Sequence, residues 1–153
     1  MPKINARRLL SDLHQLSLFG ANNPGVIRPA FSQADIEARK WLKKQYEEAG
    51  LEADLDGVGN VLGRSRQKGP ALLIGSHSDS QPTGGWLDGA LGVIYGLETA
   101  RAFAEDPKTQ RFAIDAVSWQ DEESRFFSSL GSRNFCGKIS PSTLKNLFDN
   151  TGI

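Results

Sequence analysis

Two short apolar strands with a helical segment between them constrain the fold of this chain more than any other feature. The run Ala71–Ile74 is continuous and apolar, which is typical of a strand covered on both faces. A second strand is predicted from Arg111 to Trp119, and the segment from Leu91 to Phe103 between them has helical spacing. A strand, a helix and a strand in this order indicate a parallel pair. We therefore predict an α/β protein with a mostly parallel sheet and flanking helices.

The other patterned segments predict three further helices and a pair of strands. Helical spacing of apolar residues or a capping pattern marks the helices. Alternation of apolar and polar residues on either side of a glycine-rich turn marks the strands. The helices span residues 5–19, 32–49 and 141–148, and the strands span 51–55 and 61–64. With 153 residues, the chain has about the length of one ordinary domain.

Composition and charge exclude several classes of function. Lys plus Arg and Asp plus Glu both number 18, so no net field attracts nucleic acid or an anionic membrane. No apolar run approaches the roughly 20 residues of a membrane span, and the first ten residues lack the apolar segment of a signal peptide. The single cysteine, Cys136, excludes an internal disulfide and suits a reducing compartment. We expect a cytoplasmic protein that binds neither nucleic acid nor membrane.

Three polar clusters accompany the predicted strand–helix–strand unit. His77 and Asp79 follow its first strand, Asp88 lies in a glycine-rich segment, and Glu122 and Glu123 follow its second strand. Each cluster alone has an ordinary explanation, namely a structural histidine, the N-cap of the following helix and a solvated acidic surface. Ligand sites of open α/β sheets, however, lie at the carboxyl ends of the strands. Two of the clusters lie at such ends, which favours a functional site.

Taken together, these residues have the composition of a divalent metal site. A neutral imidazole and carboxylates are ligands of zinc, manganese and similar ions. Asp79, two residues after His77, is well placed to accept the second ring N–H of that histidine and fix its tautomer. The neighbouring side chains of Glu122 and Glu123 point different ways at a strand end. One of them can therefore bind metal while the other faces the substrate water as a base.

The sequence around these clusters resembles a known family of enzymes. The resemblance rests on two segments, GSHSDSQPTGGWLDGALGVIYGLE (Gly75–Glu98) and SWQDEESRFFSSLGSR (Ser118–Arg133), and extends upstream to Arg28. They are similar to the hydantoinase/carbamoylase family of amidases, within the larger clan of M20-type di-metal peptidases and deacylases. The residues around Asp88 and Glu123 resemble the branch of N-carbamoyl-amino-acid hydrolases and allantoate amidohydrolases.

The resemblance implies a role for each residue of the clusters. His77 would ligate one metal ion and Glu123 a second, with Asp88 bridging the two. Asp79 would orient His77, and Glu122 would be the general base. The two ions, zinc or manganese, would activate a water molecule for attack on a linear amide or ureido carbon. The implied activity is hydrolysis of a C–N bond in a small molecule such as an N-carbamoyl amino acid or allantoate; no residue is assigned to binding the rest of the substrate.

The chain is much shorter than members of that family. We expect residues 1–153 to be the N-terminal half of a di-metal amidohydrolase/aminopeptidase-like catalytic domain, without its C-terminal part and without the lid and dimerisation domain of the homodimeric family. The family has two further functional histidines downstream, whereas the histidines here are His14 and His77. Each ion would keep two protein ligands where three are usual. We therefore expect weak or absent metal binding by this chain alone.

Two alternatives to a carbamoylase or allantoate hydrolase stay open at this point. The first is a truncated, catalytically inactive fragment or a regulatory module, for which the missing ligands argue. The second is a peptidase or deacylase of the M20 type. The sequence context Asp88–Gly92 argues against the second alternative, but by resemblance alone. Metal binding that depends on His77 and Asp88 would favour the enzyme over an inactive remnant.

Overall fold

The computed structural model of the chain describes residues 1–149 and 151–152. Helices pack on a four-stranded sheet, and no helix in the described ranges is long and apolar enough to cross a membrane. The elements are α1 (Ala6–Leu18), β1 (Ala21–Asn22), β2 (Gly25–Val26), α2 (Gln33–Glu48), β3 (Glu52–Leu55), β4 (Val61–Arg64), β5 (Ala71–His77), α3 (Ala90–Glu105), β6 (Ala113–Trp119), α4 (Leu130–Phe135) and α5 (Pro141–Lys145). The predicted α/β class with flanking helices is confirmed.

The sheet has the strand order β3-β4-β6-β5. The strands β5 and β6 pair in parallel from Ala71 opposite Ala113 to His77 opposite Trp119, with α3 as their connection. The strands β3 and β4 form a hairpin, and β4 pairs antiparallel with β6. A tight turn can join only antiparallel strands, and this hairpin occupies the other edge of β6. The sheet of the described residues is therefore mixed, with one parallel and two antiparallel pairings, rather than mostly parallel.

The caps of the first two helices follow the sequence closely. The Asn5 side chain accepts a hydrogen bond from the amide of Arg8 at 3.1 Å, and Ser32 accepts from Asp35 at 3.2 Å. Asp35 does not complete a capping box with Ser32, because its carboxylate accepts from the amide of Phe31 at 2.8 Å instead. The predicted residues therefore cap the start of α2, but the Asp35 carboxylate binds the amide of Phe31 instead of the amide of Ser32.

Four short elements differ from the sequence predictions. The last helix, α5, ends at Lys145 rather than at Phe148. The two-residue strands β1 and β2 and the six-residue helix α4 are not predicted at all. Such short segments hold too few residues to establish a periodicity, so their sequences carry little signal.

Two glycines of α3 allow this helix to pack at a short distance from β5. A Cβ at Gly96 would lie 2.5 Å from the carbonyl oxygen of Ile74, and a Cβ at Gly92 would lie 2.7 Å from the Cβ atom of Ser76. The opposite side of α3 contributes Ile94 and Leu97 to the core, where both are fully buried. The close approach places the beginning of α3 beside the end of β5.

The strand β5 lies at the edge of the sheet and is more exposed than its sequence suggests. Leu72 is 60% exposed and Leu73 is 37% exposed. A strand covered on both faces is predicted here, and for the described part of the chain that prediction is wrong. The helix α3 packs on one side, and β6 is the only strand of the described residues that pairs with β5.

Gly75 allows β5 and β6 to pair closely, so its replacement should destabilise the fold. A Cβ at Gly75 would lie 1.9 Å from the carbonyl oxygen of Val117, and a strand would have to move. We expect Gly75→Ala to lower the free energy of unfolding by about 1–3 kcal/mol, as overpacking does, in urea denaturation followed by circular dichroism. Gly57→Ala is the control, because no heavy atom lies within 4 Å of a Cβ there. Equal unfolding midpoints for the two variants would contradict the prediction.

Candidate metal centre

The parallel strands bring polar side chains from three segments to one end of the sheet. His77 is the last residue of β5, and Glu122 and Glu123 come shortly after the end of β6. Asp88 lies just before α3. Because β5 and β6 are parallel and His77 is in register with Trp119, the residues that follow them meet at the same edge.

His77, Asp88 and Glu123 form a group with the composition of a metal site. One possible ligand atom from each residue lies within 4.8 Å of the others. His77 Nε2 lies 3.9 Å from Asp88 Oδ2 and 3.6 Å from Glu122 Oε2. His77 is buried, whereas the Asp88 side chain is 76% exposed, so the group is open to solvent on one side. The structure therefore brings together all four residues that the sequence suggests as ligands or base.

The main chain of Asp79 fixes the ring of His77. His77 Nδ1 lies 3.0 Å from the carbonyl oxygen of Asp79. A carbonyl oxygen only accepts, so Nδ1 carries the proton of the neutral ring and Nε2 keeps its lone pair. Nε2 is the nitrogen that faces Asp88 and Glu122. The Asp79 carboxylate is further away, with Oδ1 3.7 Å from Nδ1, so the contact that orients the ring here is made by the backbone rather than by the predicted carboxylate.

The carboxylate of Asp79 is fully buried and holds the segment after β6. Its Oδ2 accepts a hydrogen bond from the amide of Glu123 at 3.1 Å. Its Oδ1 lies 3.7 Å from Arg39 Nη2 and has no hydrogen-bond partner among the described residues. Burial raises the pKa of Asp79, while the Glu123 amide and the charge of Arg39 act in the opposite direction. A buried oxygen without a partner is uncommon in folded proteins, and this one faces the His77 ring.

Arg39 of α2 contacts both the Asp79 carboxylate and the end of β6. Its guanidinium pairs with Asp35 at 2.9 Å and is almost completely buried. It also donates to the carbonyl oxygens of Ser118 and Trp119, at the end of β6, at 3.3 and 3.1 Å. The sequence does not reveal this role, because an arginine four residues after an aspartate on a helix is usually an exposed ion pair.

Arg28 supports the segment after β5 in a similar way. It is 1% exposed and donates to the carbonyl oxygen of Ser78 at 2.6 Å and to those of Leu16 and Phe19 at the end of α1. Burial lowers the pKa of Arg28 to about 10, so the side chain is still charged at neutral pH. Arg28 thus holds the residue between His77 and Asp79, and Arg39 holds the end of the neighbouring strand β6.

Glu122 and Glu123 are neighbours with different surroundings. Glu123 is held by Asp79 at its amide, and its Oε2 accepts a hydrogen bond from Gln81 Nε2 at 3.0 Å. Burial raises the pKa of Glu123. In contrast, no hydrogen bond within residues 1–149 engages the Glu122 carboxylate, whose side chain is 45% exposed. One carboxylate is therefore fixed in place and the other can turn. No sequence pattern points to the contact with Gln81.

Gly89 allows Asp88 to approach His77. Its φ is +66°, and a Cβ there would lie 2.5 Å from both Cε1 and Nε2 of the His77 ring. The residue at the N-cap position of α3 is Gly89, without a side-chain bond, so the interpretation of Asp88 as that cap is wrong. The Asp88 carboxylate is instead directed toward His77.

Two cavities adjoin the group of acidic residues and His77. A cavity of about 140 Å³ is bordered by Gln81, Asp88 and Glu123. A larger one, of about 650 Å³, extends from Asp79 and Glu123 to Arg125 and Asp149. Clefts of several hundred cubic ångströms are typical of sites for small molecules.

Comparison with solved structures shows a close relative over the whole chain. An amidase of the hydantoinase/carbamoylase family from Burkholderia phymatum has 56% sequence identity and a TM-score of 0.98. The similarity covers 100% of this chain and 38% of that one. The fold described above is therefore the fold of the corresponding part of that amidase.

Curated relatives are also much longer than this chain. The N-carbamoyl-L-amino-acid amidohydrolase of Paenarthrobacter aurescens is 34% identical over 158 residues, which cover 100% of this chain and 38% of the relative. The enzyme of the same name from Pseudomonas sp. (strain NS671) is 38% identical, over 96% of this chain and 37% of the relative. This chain thus spans a little over a third of the length of these relatives.

A family model matches most of the region that carries the site. Residues 58–150, more than half of the chain, match the model of peptidase family M28. This match contains His77, Asp79, Asp88, Glu122 and Glu123. The chain therefore belongs to peptidase family M28, and its predicted resemblance to the hydantoinase/carbamoylase family of amidases is confirmed.

Proposed function

We propose that this chain carries the N-terminal part of the catalytic domain of a metal-dependent amidohydrolase that cuts linear amide or ureido C–N bonds. The observation that carries the proposal is the convergence of His77, Asp88 and Glu123, with Glu122 beside them, at the ends of two parallel strands. The curated relatives are N-carbamoyl-L-amino-acid amidohydrolases. Because the chain spans about 38% of their length, the activity is proposed for a protein that includes the remainder.

The residues of the group fit divalent metal ions. Imidazole and carboxylates are the usual ligands of zinc and manganese, and the free Nε2 lone pair of His77 faces the carboxylates. We propose two ions, with Asp88 shared between them, His77 the further ligand of one and Glu123 of the other. When bound, such ions lower the pKa of a water molecule and polarise the scissile carbonyl. Two protein ligands per ion are one fewer than usual, which limits the affinity of this chain alone.

Glu122 is proposed as the general base. A base must take a proton from water and deliver it to the leaving nitrogen, which requires a carboxylate that faces the site and can turn. The Glu122 carboxylate meets both requirements, since it lies 3.6 Å from His77 Nε2 and is 45% exposed. Glu123 is held at both its amide and its carboxylate, which suits a ligand better than a proton carrier.

The proposed substrate is a small N-carbamoyl amino acid, with allantoate as the alternative. The cavity of about 650 Å³ beside Glu123 can hold a molecule of either size.

Equal numbers of acidic and basic residues give no reason to expect a nucleic acid as substrate or partner. The family's homodimer is proposed for the longer protein, and the lone cysteine supports a reducing cytoplasm as its location.

An inactive fragment is the second candidate function, and metal binding distinguishes it from a preformed site. We expect isothermal titration of this chain with ZnCl2 or MnCl2 to show weak binding, in the micromolar range rather than tighter because each ion has two protein ligands, and we expect it to be lost in His77→Ala and in Asp88→Ala, because each change removes a proposed ligand. His14→Ala is the control, since His14 is the other histidine and lies on α1. No binding by the unaltered chain, or equal binding by all variants, would leave only an inactive remnant.

The role of Glu122 can be tested in a chimera. Residues 1–153 would replace the matching part of the Burkholderia phymatum amidase, with which they share 56% identity. We expect Glu122→Gln to lower kcat for an N-carbamoyl amino acid by about 10²–10⁴-fold, the usual contribution of a general base. The bound metal, measured by plasma mass spectrometry, should stay the same. A Glu122→Gln chimera with full activity would exclude the proposed role.

A further inference from the structure

We propose that Gln81 is a positioning residue that holds Glu123 in the orientation needed for metal binding. The inference rests on the proposed metal centre and extends it by one residue. Gln81 Nε2 donates to Glu123 Oε2 at 3.0 Å, across 42 residues of sequence. The contact joins the loop after β5 to the segment after β6. One oxygen of Glu123 is thus occupied by an amide, which directs the carboxylate toward His77 and Asp88.

The backbone of Gln81 is anchored, so its side chain reaches Glu123 from a fixed point. Its carbonyl oxygen accepts a hydrogen bond from the amide of Gly84 at 3.2 Å and lies 3.1 Å from Ser80 Oγ, whose single proton is shared between this oxygen and the carbonyl oxygen of Val26. The Ser80 hydroxyl in turn accepts from the amide of Arg28 at 2.9 Å. Ser80 is buried, and Pro82 restricts the backbone after Gln81. The turn is therefore tied to the buried residues described above.

Electrostatics explains why Glu123 needs such a contact. One oxygen of its carboxylate and one oxygen of the Asp88 carboxylate lie within 4.8 Å of each other, and two like charges at this range repel each other. An exposed glutamate side chain would relieve this repulsion by turning into solvent. The hydrogen bond from Gln81 opposes that movement without adding a charge that would compete with Asp88. Gln81 and Asp79 together fix Glu123 at its carboxylate and at its amide.

Replacement of Gln81 by methionine tests the proposal, because methionine has a similar length but no N–H donor. Hydrogen-bond partners of metal ligands typically contribute about 10–100-fold to metal affinity. We expect Gln81→Met to raise the Kd for Zn²⁺ by a factor in this range, measured by isothermal titration of the full chain. Gln67→Met is the matched control, since Gln67 is also exposed and lies away from the site. Unaltered Zn²⁺ affinity in Gln81→Met would overturn the proposal while leaving the metal centre intact.

A spectroscopic measurement tests the contact without metal. We expect the side-chain amide signals of Gln81 in a ¹⁵N–¹H spectrum to shift in Glu123→Ala, because the acceptor is lost, and to stay in place in Glu122→Ala. If the unaltered chain binds no Zn²⁺, the proposed metal centre fails in this chain, and the amide signals then decide the role of Gln81. Signals that Glu123→Ala leaves unchanged would overturn the positioning role, whereas a shift confined to Glu123→Ala supports it.

Discussion

The ion pairs and hydrogen bonds of the buried Arg39 side chain hold together the end of the sheet where the candidate metal centre lies. A charge in the interior is stable only when opposite charges and hydrogen bonds surround it. Here Asp35 and Asp79 supply the negative charges, and the last carbonyl groups of β6 and the carbonyl group of Gly59 accept hydrogen bonds from the guanidinium. The helix α2, the end of β6 and the loop after β5 are therefore bound to one side chain. Their relative positions determine where His77 and Glu123 lie.

The three proposed ligand residues differ in how many neighbours hold them. His77 and Glu123 are held by neighbours whose own positions are fixed in the interior, through the Asp79 backbone and carboxylate. Asp88 follows a glycine-rich segment, and its side chain is largely exposed. If these residues bind metal as proposed, two of them would stay in place while the exposed third could adjust. Such an arrangement suits the residue proposed to serve two ions at once.

The candidate site was predictable because its residues form compact clusters at strand ends and resemble a known family. The parallel pair of strands was predictable from periodicity. The pairing of β4 with β6 was not, because it depends on contacts between distant parts of the chain rather than on local pattern. The same holds for Arg39, which contacts Ser118, 79 residues later. A helix pattern shows the spacing of Asp35 and Arg39 but not the sheet that buries them.

The position of β5 at the margin of the sheet has a consequence for His77. An edge strand offers its outer N–H and carbonyl groups to any further strand that can align with it. A strand added there would turn the margin into the middle of a wider sheet, and His77 would then lie between two neighbours instead of beside one. Leu72 and Leu73, now exposed, would gain side-chain neighbours on the added strand. The imidazole would lose contact with bulk water along that side, and the charges around it would interact through a less polar medium.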